Sequence, residues 1–423
     1  MTQGVTAQTT SHQHRAFAAL HQPGYGAYLG GTMLAMMADS IEHVISYWMI
    51  YEKFRSPALG GYAVISHWLP FLLFSLWSGG LADRFDVRRI IQFGMLLFML
   101  CSLGWGVLFA TDTLQVWHAV VLLTIHGMAG VFWAPASQLL VHDIAGRDNL
   151  HSGVRLMAMA RTLGLLGGPA VGGAMLLAFG PTTGMLINVL IYVPLTWWLW
   201  KAPYGPKFAK EPRVAARTEG GFAGVFATAR EIAGNRIVVS MTLLAAASSF
   251  VIGNAYQAQM PEFAADLGHD HADFHYSMLL AANAAGALAA GLILELYGLL
   301  QARPKMAVVL VMLWAICIGG FALSENYALS LILLVAAGFL NLAFSAMAQT
   351  LVQLHAPSHL RGRVIGLYNM AFHGMRAFSG VFVGMGGSLI GVHWSLALSA
   401  ALMLVIAVGL LAFEMRPQAE LAE

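Results

Sequence analysis

The sequence predicts an all-α polytopic membrane protein with twelve transmembrane helices in two pseudo-symmetric six-helix bundles. The first reason is composition: 58% of the 423 residues are hydrophobic and 10% are charged, with a mean hydropathy of +0.70, whereas soluble domains carry about 25% charged residues. The second is the regular return of apolar runs long enough to cross a bilayer. The third is a motif repeat at half the chain length. Together they exclude a disordered chain, a nucleic-acid-binding module and a secreted disulfide scaffold.

Twelve apolar runs of about 20 residues, the length that crosses a hydrocarbon core, are numbered as spans 1 to 12. A polar stretch in the middle of the chain separates the first six from the last six. Apolar residues at helical spacing from Phe222 to Ile232 predict an amphipathic helix on the membrane surface, with a solvated connector as the alternative. The predicted spans are 26–50, 58–81, 89–110, 114–141, 152–179, 181–200, 237–259, 274–298, 304–323, 328–353, 364–390 and 393–414. The predicted units are a tail at 1–25, a bundle at 26–200, a linker at 201–236, a bundle at 237–414 and a tail at 415–423.

The distribution of Lys and Arg predicts the orientation of the chain, because basic residues accumulate in cytoplasmic loops. With the N-terminus in the cytoplasm, 18 of the 22 basic residues are cytoplasmic. Only Lys53 and Arg55 are then external, while Arg161 and Arg376 lie inside spans. We therefore expect both termini in the cytoplasm and a location in the inner membrane. The first residues lack the basic start and apolar centre of a cleaved signal.

Short motifs recur at an offset of half the chain. Gly79-x-x-x-Asp83 ends span 2, and Gly291-x-x-x-Glu295 ends span 8, with the two carboxylates 212 residues apart. A second pair of similar segments ends spans 4 and 10 at an offset of 211 residues. The shared offset predicts two six-helix halves of like orientation. Parallel halves of this kind are a transporter architecture with substrate bound near the membrane midplane.

The loop between spans 2 and 3, GGLADRFDVRR, resembles the signature loop of the major facilitator superfamily. The resemblance implies the fold of that superfamily, with a cluster at the cytoplasmic face that latches the gate shut and releases it. The sequence departs from the pattern at Asp86, where the family more often has glycine, and Glu295 replaces the aspartate in the second half. The residues that carry the match are Gly79, Leu81, Asp83, Arg84, Arg88 and Arg89.

Span 5 contains GLLGGPAVGG, which is similar to part of the antiporter signature of drug–proton exporters. It departs from that signature at Arg155, where a glycine is expected. Four further segments resemble the enterobactin-exporter-like branch, and the resemblance extends from about residue 26 to 414. It implies a secondary active exporter of a siderophore or drug-like molecule. Generic close packing is the alternative interpretation of the glycines. The antiporter-type residues are Gly164, Gly168, Pro169, Gly172 and Gly173.

Ionisable residues inside spans are the candidates for coupling transport to protons. Span 1 carries Asp39, Glu42 and His43, whose spacing of three and four residues places them on one helix face. Each such group costs about 2.5–3.5 kcal/mol on insertion scales, so it indicates a function. His126 in span 4 and His373 in span 11 are candidate proton relays. A structural polar cluster paired across helices is the alternative for the span 1 residues, and a hydrogen-bonded core histidine is the alternative for each lone histidine.

Two buried cations, Arg161 in span 5 and Arg376 in span 11, occupy nearly corresponding places in the two halves. Either is suited to pair with Asp39 or Glu42, or to hold an anionic group of a substrate. The sequence leaves these alternatives open.

Metal and nucleotide cofactors are not expected. The loop between spans 7 and 8 is rich in possible ligands but matches no structural zinc pattern. A G-x-x-x-x-G-K-[ST] loop is absent from the sequence, which argues against ATP-driven pumping. The spacing of Ser, Cys, His and Asp suggests no hydrolase, so an enzyme is not predicted. The loop residues are His269, Asp270, His271, Asp273 and His275.

The leading hypothesis is therefore a proton-coupled secondary transporter that exports a small organic molecule by alternating access. Its expected partners are that molecule, protons and the lipid bilayer, without nucleic acid, and we expect a monomer. Within the same fold, lipid or lysophospholipid movement and uptake remain alternatives. A receptor or scaffold built on a transporter frame is the alternative outside transport.

Overall fold

The computed structural model describes residues 17–204, 222–267, 272–297, 303–357 and 361–415, and these ranges are helical throughout apart from short connections. Spans 1 to 3 are Tyr25–Phe54, Pro57–Arg84 and Val87–Ala110, after a short 3₁₀ helix at Ala18–His21. Spans 4 to 6 lie in one long helix, Val116–Lys201. Phe222–Ile232 is helical, as predicted, and its location on the membrane surface stays a prediction. Span 7 comprises Arg236–Val251 and Ala255–Leu267, and spans 8, 9, 10 and 12 are Ala272–Tyr297, Pro304–Leu323, Tyr327–His355 and Val392–Met415.

Nine helical segments within these ranges are long and apolar enough to cross a membrane. The segment Ser152–Lys201 has 50 residues and holds both span 5 and span 6. Tyr25–Phe54 and span 11 complete the twelve, the first being less apolar because it carries Asp39 and Glu42. The predicted all-α, twelve-span fold class is confirmed. The predicted domain boundaries remain predictions, and the tails at 1–16 and 416–423 lie outside the described residues.

Glycines separate the three spans that share the long helix. Gly146 and Gly180 have φ values of 69° and 71°, in the left-handed region that favours glycine. Pro181 follows Gly180 and has no backbone N–H to continue the hydrogen-bond ladder. By contrast, the helix retains helical dihedral angles through Pro169.

Spans 7 and 11 are irregular at mid-depth. Span 7 is interrupted at Gly253, which has a φ of 51°. Its Cα faces Ser379, and a Cβ added there would lie 2.5 Å from the Ser379 hydroxyl oxygen. In span 11, π-helical turns at Met370–Gly374 and Gly380–Met385 alternate with α-helical turns. Both interruptions are of the kind that is frequent at functional sites. The α-helical parts of span 11 are Arg361–Asn369, Arg376–Ser379 and Gly386–Ile390.

Asp86, the departure from the signature loop, begins span 3 as its N-cap. Its carboxylate accepts from the Arg88 backbone N–H at 3.0 Å and forms a bidentate pair with the Arg88 guanidinium at 3.1 and 2.7 Å. Arg88 also donates to the carbonyl of Ala202 at 2.5 Å, which ties this loop to the end of span 6. The side chains of Asp83, Arg84 and Glu295 lie outside the described residues, so their gating role stays a prediction.

The two halves are joined by a glycine seam, formed by Gly61 of span 2 with Gly380 and Gly384 of span 11. A Cβ added to Gly384 would lie 2.2 Å from the Gly61 Cα, and one added to Gly61 would lie 2.4 Å from the Gly380 carbonyl oxygen. Beside the seam, the Gln259 amide donates to the Pro57 carbonyl at 3.0 Å. The backbones of the halves therefore touch directly, as small residues allow in membrane helices.

Further contacts between the halves lie at the same end of the molecule. The Tyr276 hydroxyl donates to the Val44 carbonyl at 2.9 Å, and its ring stacks on Trp48 with centroids 5.6 Å apart. The larger buried apolar cluster runs through both halves, whereas a second cluster, which includes Val87 and Tyr192, belongs to the first half alone. Under the predicted topology, the end at which the halves meet is the external one.

We predict that Gly384→Ala shifts the protein away from this closed arrangement, because the added methyl group has no room against the Gly61 backbone. Overpacking of this kind costs about 1–3 kcal/mol. Spin labels at Glu52→Cys and Glu325→Cys, in a background with Cys101→Ala and Cys317→Ala, should report a longer distance distribution. Gly366→Ala in the same span is the matched control, because its Cβ meets nothing within 4 Å. Identical distributions for Gly384→Ala and the parent would contradict the seam.

We also predict a pH-dependent contribution from the Asp86–Arg88 pair. Partial burial disfavours ionisation of Asp86, but the hydrogen bonds and charge of Arg88 hold the pKa of its carboxyl below the usual range. The stabilisation is thus present above the unfolded pKa of about 3.9 and lost as pH falls through the folded value. Asp86→Asn should lower stability by about 1 kcal/mol or less at pH 7. Its thermal unfolding curve should converge with that of the wild type below about pH 3; a constant difference across this range would argue against the ion pair.

Candidate functional site

A buried cluster of acids and histidines lies between spans 1, 2 and 4. The predicted residues Asp39, Glu42 and His126 are 7%, 2% and 3% exposed. His43 joins them from span 1, one helical turn after Asp39, and His67 joins them from span 2. The structure therefore brings together four of the seven residues proposed for the cavity and adds one that the sequence analysis missed.

His126 bridges the two carboxylates. Its Nδ1 lies 2.8 Å from a Glu42 carboxylate oxygen, and its Nε2 lies 2.9 Å from Asp39 Oδ1. Both ring nitrogens thus face acceptors, although a neutral imidazole carries only one N–H. Either the imidazole is doubly protonated or one of the carboxyls carries a proton. The three groups share two protons in either case.

Neutral polar groups from spans 3 and 6 hold Glu42 in place. The Ser102 hydroxyl donates to its second carboxylate oxygen. Asn188 in turn donates to the Ser102 oxygen at 3.1 Å and to the Ala38 carbonyl at 3.0 Å. These bonds fix the Glu42 carboxylate and, through it, the orientation of the His126 ring.

The remaining two histidines extend the cluster. His43 Nδ1 donates to the Asp39 carbonyl at 2.8 Å, so its proton is on that nitrogen. Its ring centroid lies 4.7 Å from the rings of both His126 and His67. His67 Nδ1 is buried and has no hydrogen-bond partner. In the sequence, His67 is a lone histidine in an apolar run, and only its place beside Trp68 marks it.

The same cluster offers a set of donors that a divalent transition metal accepts. One ligand atom from each of Asp39, His43, His67 and His126 lies within 4.8 Å of the others. Ligand atoms about 2.0–2.1 Å from a tetrahedral zinc ion would lie closer together than this. Moreover, both His126 nitrogens are already hydrogen-bonded to carboxylates. The arrangement therefore suits protons better than a metal. Of the external loop, His269, Asp270 and His271 lie outside the described residues.

The antiporter-type glycines bring span 5 against the part of span 1 that carries the acids. A Cβ on Gly164 would lie 2.5 Å from the Met33 carbonyl, and one on Gly168 would lie 2.3 Å from the Ser40 Cβ. Gly172 has the same relation to Ile41 and Val44. Gly173 differs, because it faces Ser277 of span 8 and so contacts the other half. Substitution at Gly164 or Gly168 would displace the helix that bears Asp39.

Neither predicted arginine pairs with an acid of the cluster. The Arg161 guanidinium lies over the Trp133 ring at 5.8 Å, and the Arg376 guanidinium lies over the Trp68 and Phe372 rings at 4.9 and 4.6 Å. His126 takes the place that the sequence analysis offered to an arginine. His373 stands apart from the acids and donates from Nδ1 to the Asn369 carbonyl at 3.1 Å.

Trp68 connects the cluster with the second half. Its ring lies 4.7 Å from that of His67 and 5.7 Å from that of His373. Its indole N–H donates to Asn254 Oδ1 at 3.2 Å, at the interruption of span 7. One side chain of span 2 thus touches the acid–histidine cluster, the broken helix and Arg376.

Comparison with known proteins agrees with this architecture. The profile of the transmembrane secretion effector family matches residues 14–423. The staphyloferrin A transporter of Staphylococcus aureus is 20% identical over 184 residues, which are 42% of this chain and 46% of that protein. A putative multidrug resistance protein, MdtD, of Pectobacterium atrosepticum is 33% identical over 96 residues, 23% of this chain and 20% of that protein. The matched segments thus cover less than half of either relative.

Solved structures support the fold. One is a bacterial homologue of the human lysosomal transporter Spinster, in an inward-facing and unoccupied conformation. It superposes with a TM-score of 0.69 at 15% sequence identity, and the match covers 93% of this chain and 96% of that chain. The nucleoside transporter NupG superposes with a TM-score of 0.64 at 12% identity, covering 92% and 100%. These are transporters and not enzymes. With its profile match over nearly the whole length, the chain belongs to the transmembrane secretion effector family of the major facilitator superfamily.

Proposed function

We propose that this protein is a proton-coupled exporter of a small organic molecule, located in the inner membrane and working by alternating access. The observation that carries the proposal is the His126 bridge between Asp39 and Glu42 in the middle of the spans. The family is one of transporters, and coupling to protons requires a buried group that gains and loses a proton as the protein changes conformation.

The bridge provides such a group. Two carboxylates and an imidazolium together carry one net negative charge, which one further proton neutralises. Burial makes that remaining charge costly, so proton uptake is favoured when the cluster is sealed from water. Exposure to water on the other side of the membrane removes this penalty and favours release. The cluster therefore takes up a proton when it is sealed from water and releases one when it is exposed on the other side of the membrane.

The glycine seam is the element that opens and closes. It joins spans 2 and 11, and its tightest contacts are backbone to backbone, with the side chains of Ile65 and Gln259 beside them. Span 2 also carries His67 and Trp68, so its movement against span 11 displaces groups that line the acid–histidine cluster. This linkage connects opening at one end with the environment of the protons.

Export in place of uptake is supported by the relatives. The family is described as secretion effectors, and a relative with 33% identity over its matched segment is named a putative multidrug resistance protein. The span 5 glycines that resemble an antiporter signature pack against the acid-bearing helix. We propose the same direction of transport here, with the proton gradient as the driving force.

Neutralising the acids is the first test. Asp39→Asn and Glu42→Gln should each reduce proton-coupled transport more than tenfold, because each removes a carboxylate that accepts from His126. The assay is proton release from energised inverted membrane vesicles on addition of citrate, aromatic carboxylates or ethidium, followed by a pH-sensitive dye. Glu52→Gln is the matched control, since Glu52 lies exposed at the end of the same helix. EDTA-treated vesicles should behave like untreated ones.

Substrate-induced proton movement that persists in the Asp39→Asn/Glu42→Gln double variant would show that the proton site is elsewhere. Loss of the signal with EDTA in the wild type would show that the cluster holds a metal ion instead.

Removing the bridge is the second test. His126→Gln should destabilise the protein by about 3–5 kcal/mol, because it leaves two carboxylates close together and without their shared donor. Adding Glu42→Gln to His126→Gln should restore part of this loss, because one charge is then gone. Thermal unfolding of the purified protein measures both effects, with His142→Gln as the control at an exposed histidine. If the double variant is no more stable than His126→Gln alone, the bridge does not couple these residues.

A further inference from the structure

The two intramembrane arginines are contributed by different halves and face a shared region. Arg161 comes from span 5, and Arg376 comes from the α-helical turn Arg376–Ser379 between the two π-helical parts of span 11. Arg161 lies close enough to His373 to interact with it electrostatically, and His373 is three residues from Arg376. The two cations therefore lie on either side of the boundary between the halves, with His373 in the field of both, and transporters of this architecture bind substrate at that boundary.

Neither arginine has a counter-charge among the described residues. Asp39 lies within electrostatic range of Arg161 but forms no ion pair with it, because its carboxylate is bonded to His126. Both guanidiniums instead lie over aromatic rings, those of Trp133, Trp68 and Phe372. A ring face satisfies the flat side of a guanidinium but leaves its N–H donors at the edge available. The N–H groups of these two guanidiniums, which match a planar oxyanion best, thus donate to no acceptor that the described residues supply.

We propose that Arg161 and Arg376 form an anion clamp, and that the transported molecule is an organic anion with carboxylate groups and a flat apolar body. Guanidiniums bind carboxylates in a bidentate manner, which fixes orientation as well as charge. Trp68 and Phe372 offer flat surfaces for the apolar part, and Asn254 marks the interrupted backbone of span 7 beside them. Two uncompensated positive charges also select against cationic drugs.

The clamp rests on the proposed function, since it names the substrate class of that transport cavity. It also explains why His126, and not an arginine, satisfies the two acids. With the arginines free of Asp39 and Glu42, the substrate and the proton occupy neighbouring but separate sites. Binding of an anion beside Arg161 then alters the field at Asp39 without displacing any of its hydrogen bonds.

The test compares an acid with its uncharged counterpart. The full-length protein in phosphatidylcholine nanodiscs, which carry no anionic headgroup, is titrated with naphthalene-2,6-dicarboxylate, with benzoate and citrate, and with the corresponding amides. Ethidium serves as the cationic probe. We expect at least one acid to bind about ten- to a hundredfold more tightly than its amide. Arg161→Gln and Arg376→Gln should each remove that preference, and Arg376→Lys should retain part of it.

Arg55→Gln is the matched control, because Arg55 also lies over a ring, that of Tyr51 at 4.4 Å, but at the far end of span 1. It should leave every affinity unchanged. Equal binding of all acids and amides by the wild type, or preference for ethidium, would overturn the clamp even if the variants fail to fold. A wild-type protein that shows no acid preference but keeps substrate-induced proton movement would reject the clamp alone, as would arginine variants that fold and keep the wild-type preference. Acid binding without proton movement would reject only the coupling to protons.

Discussion

Two carboxylates one helical turn apart in the middle of a membrane constrain everything around them. Left alone, they would repel each other in a medium that solvates neither. Three neighbouring helices supply polar groups: His126 from span 4 and Ser102 from span 3 bond the acids, and Asn188 from span 6 bonds Ser102. The order of these helices around span 1 is therefore tied to the acids. The first half is organised around this network as much as around its apolar packing.

The second half has a different character. Within the described residues, its central helices carry interruptions and not an acid network: a left-handed glycine in span 7 and two π-helical parts in span 11. Broken helices can adjust their shape, whereas a hydrogen-bonded network resists change. The first half thus contains a stiff acid–histidine network, whereas the second half offers a deformable wall. Trp68 belongs to the first and contacts the second.

The fold and part of the site could be predicted from the sequence, because apolar length and helical spacing are local properties. Spacing alone placed Asp39, Glu42 and His43 together, and the apolar runs 152–179 and 181–200 placed a boundary at Gly180. The choice of His126 over Arg161 as their partner depends on the register between helices, which no local pattern contains. His67 was missed for the same reason. Asp86 seemed a defect in a family motif, but its carboxylate caps span 3 and holds Arg88.

The glycine seam has a consequence for the energy landscape of the transporter. A contact between bare backbones involves only a few residues, so the dispersion energy that its separation forfeits is confined to a short stretch of spans 2 and 11. Water can replace the hydrogen bonds that cross between the halves at this end, Gln259–Pro57 and Tyr276–Val44. At the three glycines of the seam, the helices can separate without rearranging interdigitated side chains. The two arrangements of the protein can then be nearly isoenergetic, which leaves the occupants of the cavity, and not the joint, to decide between them.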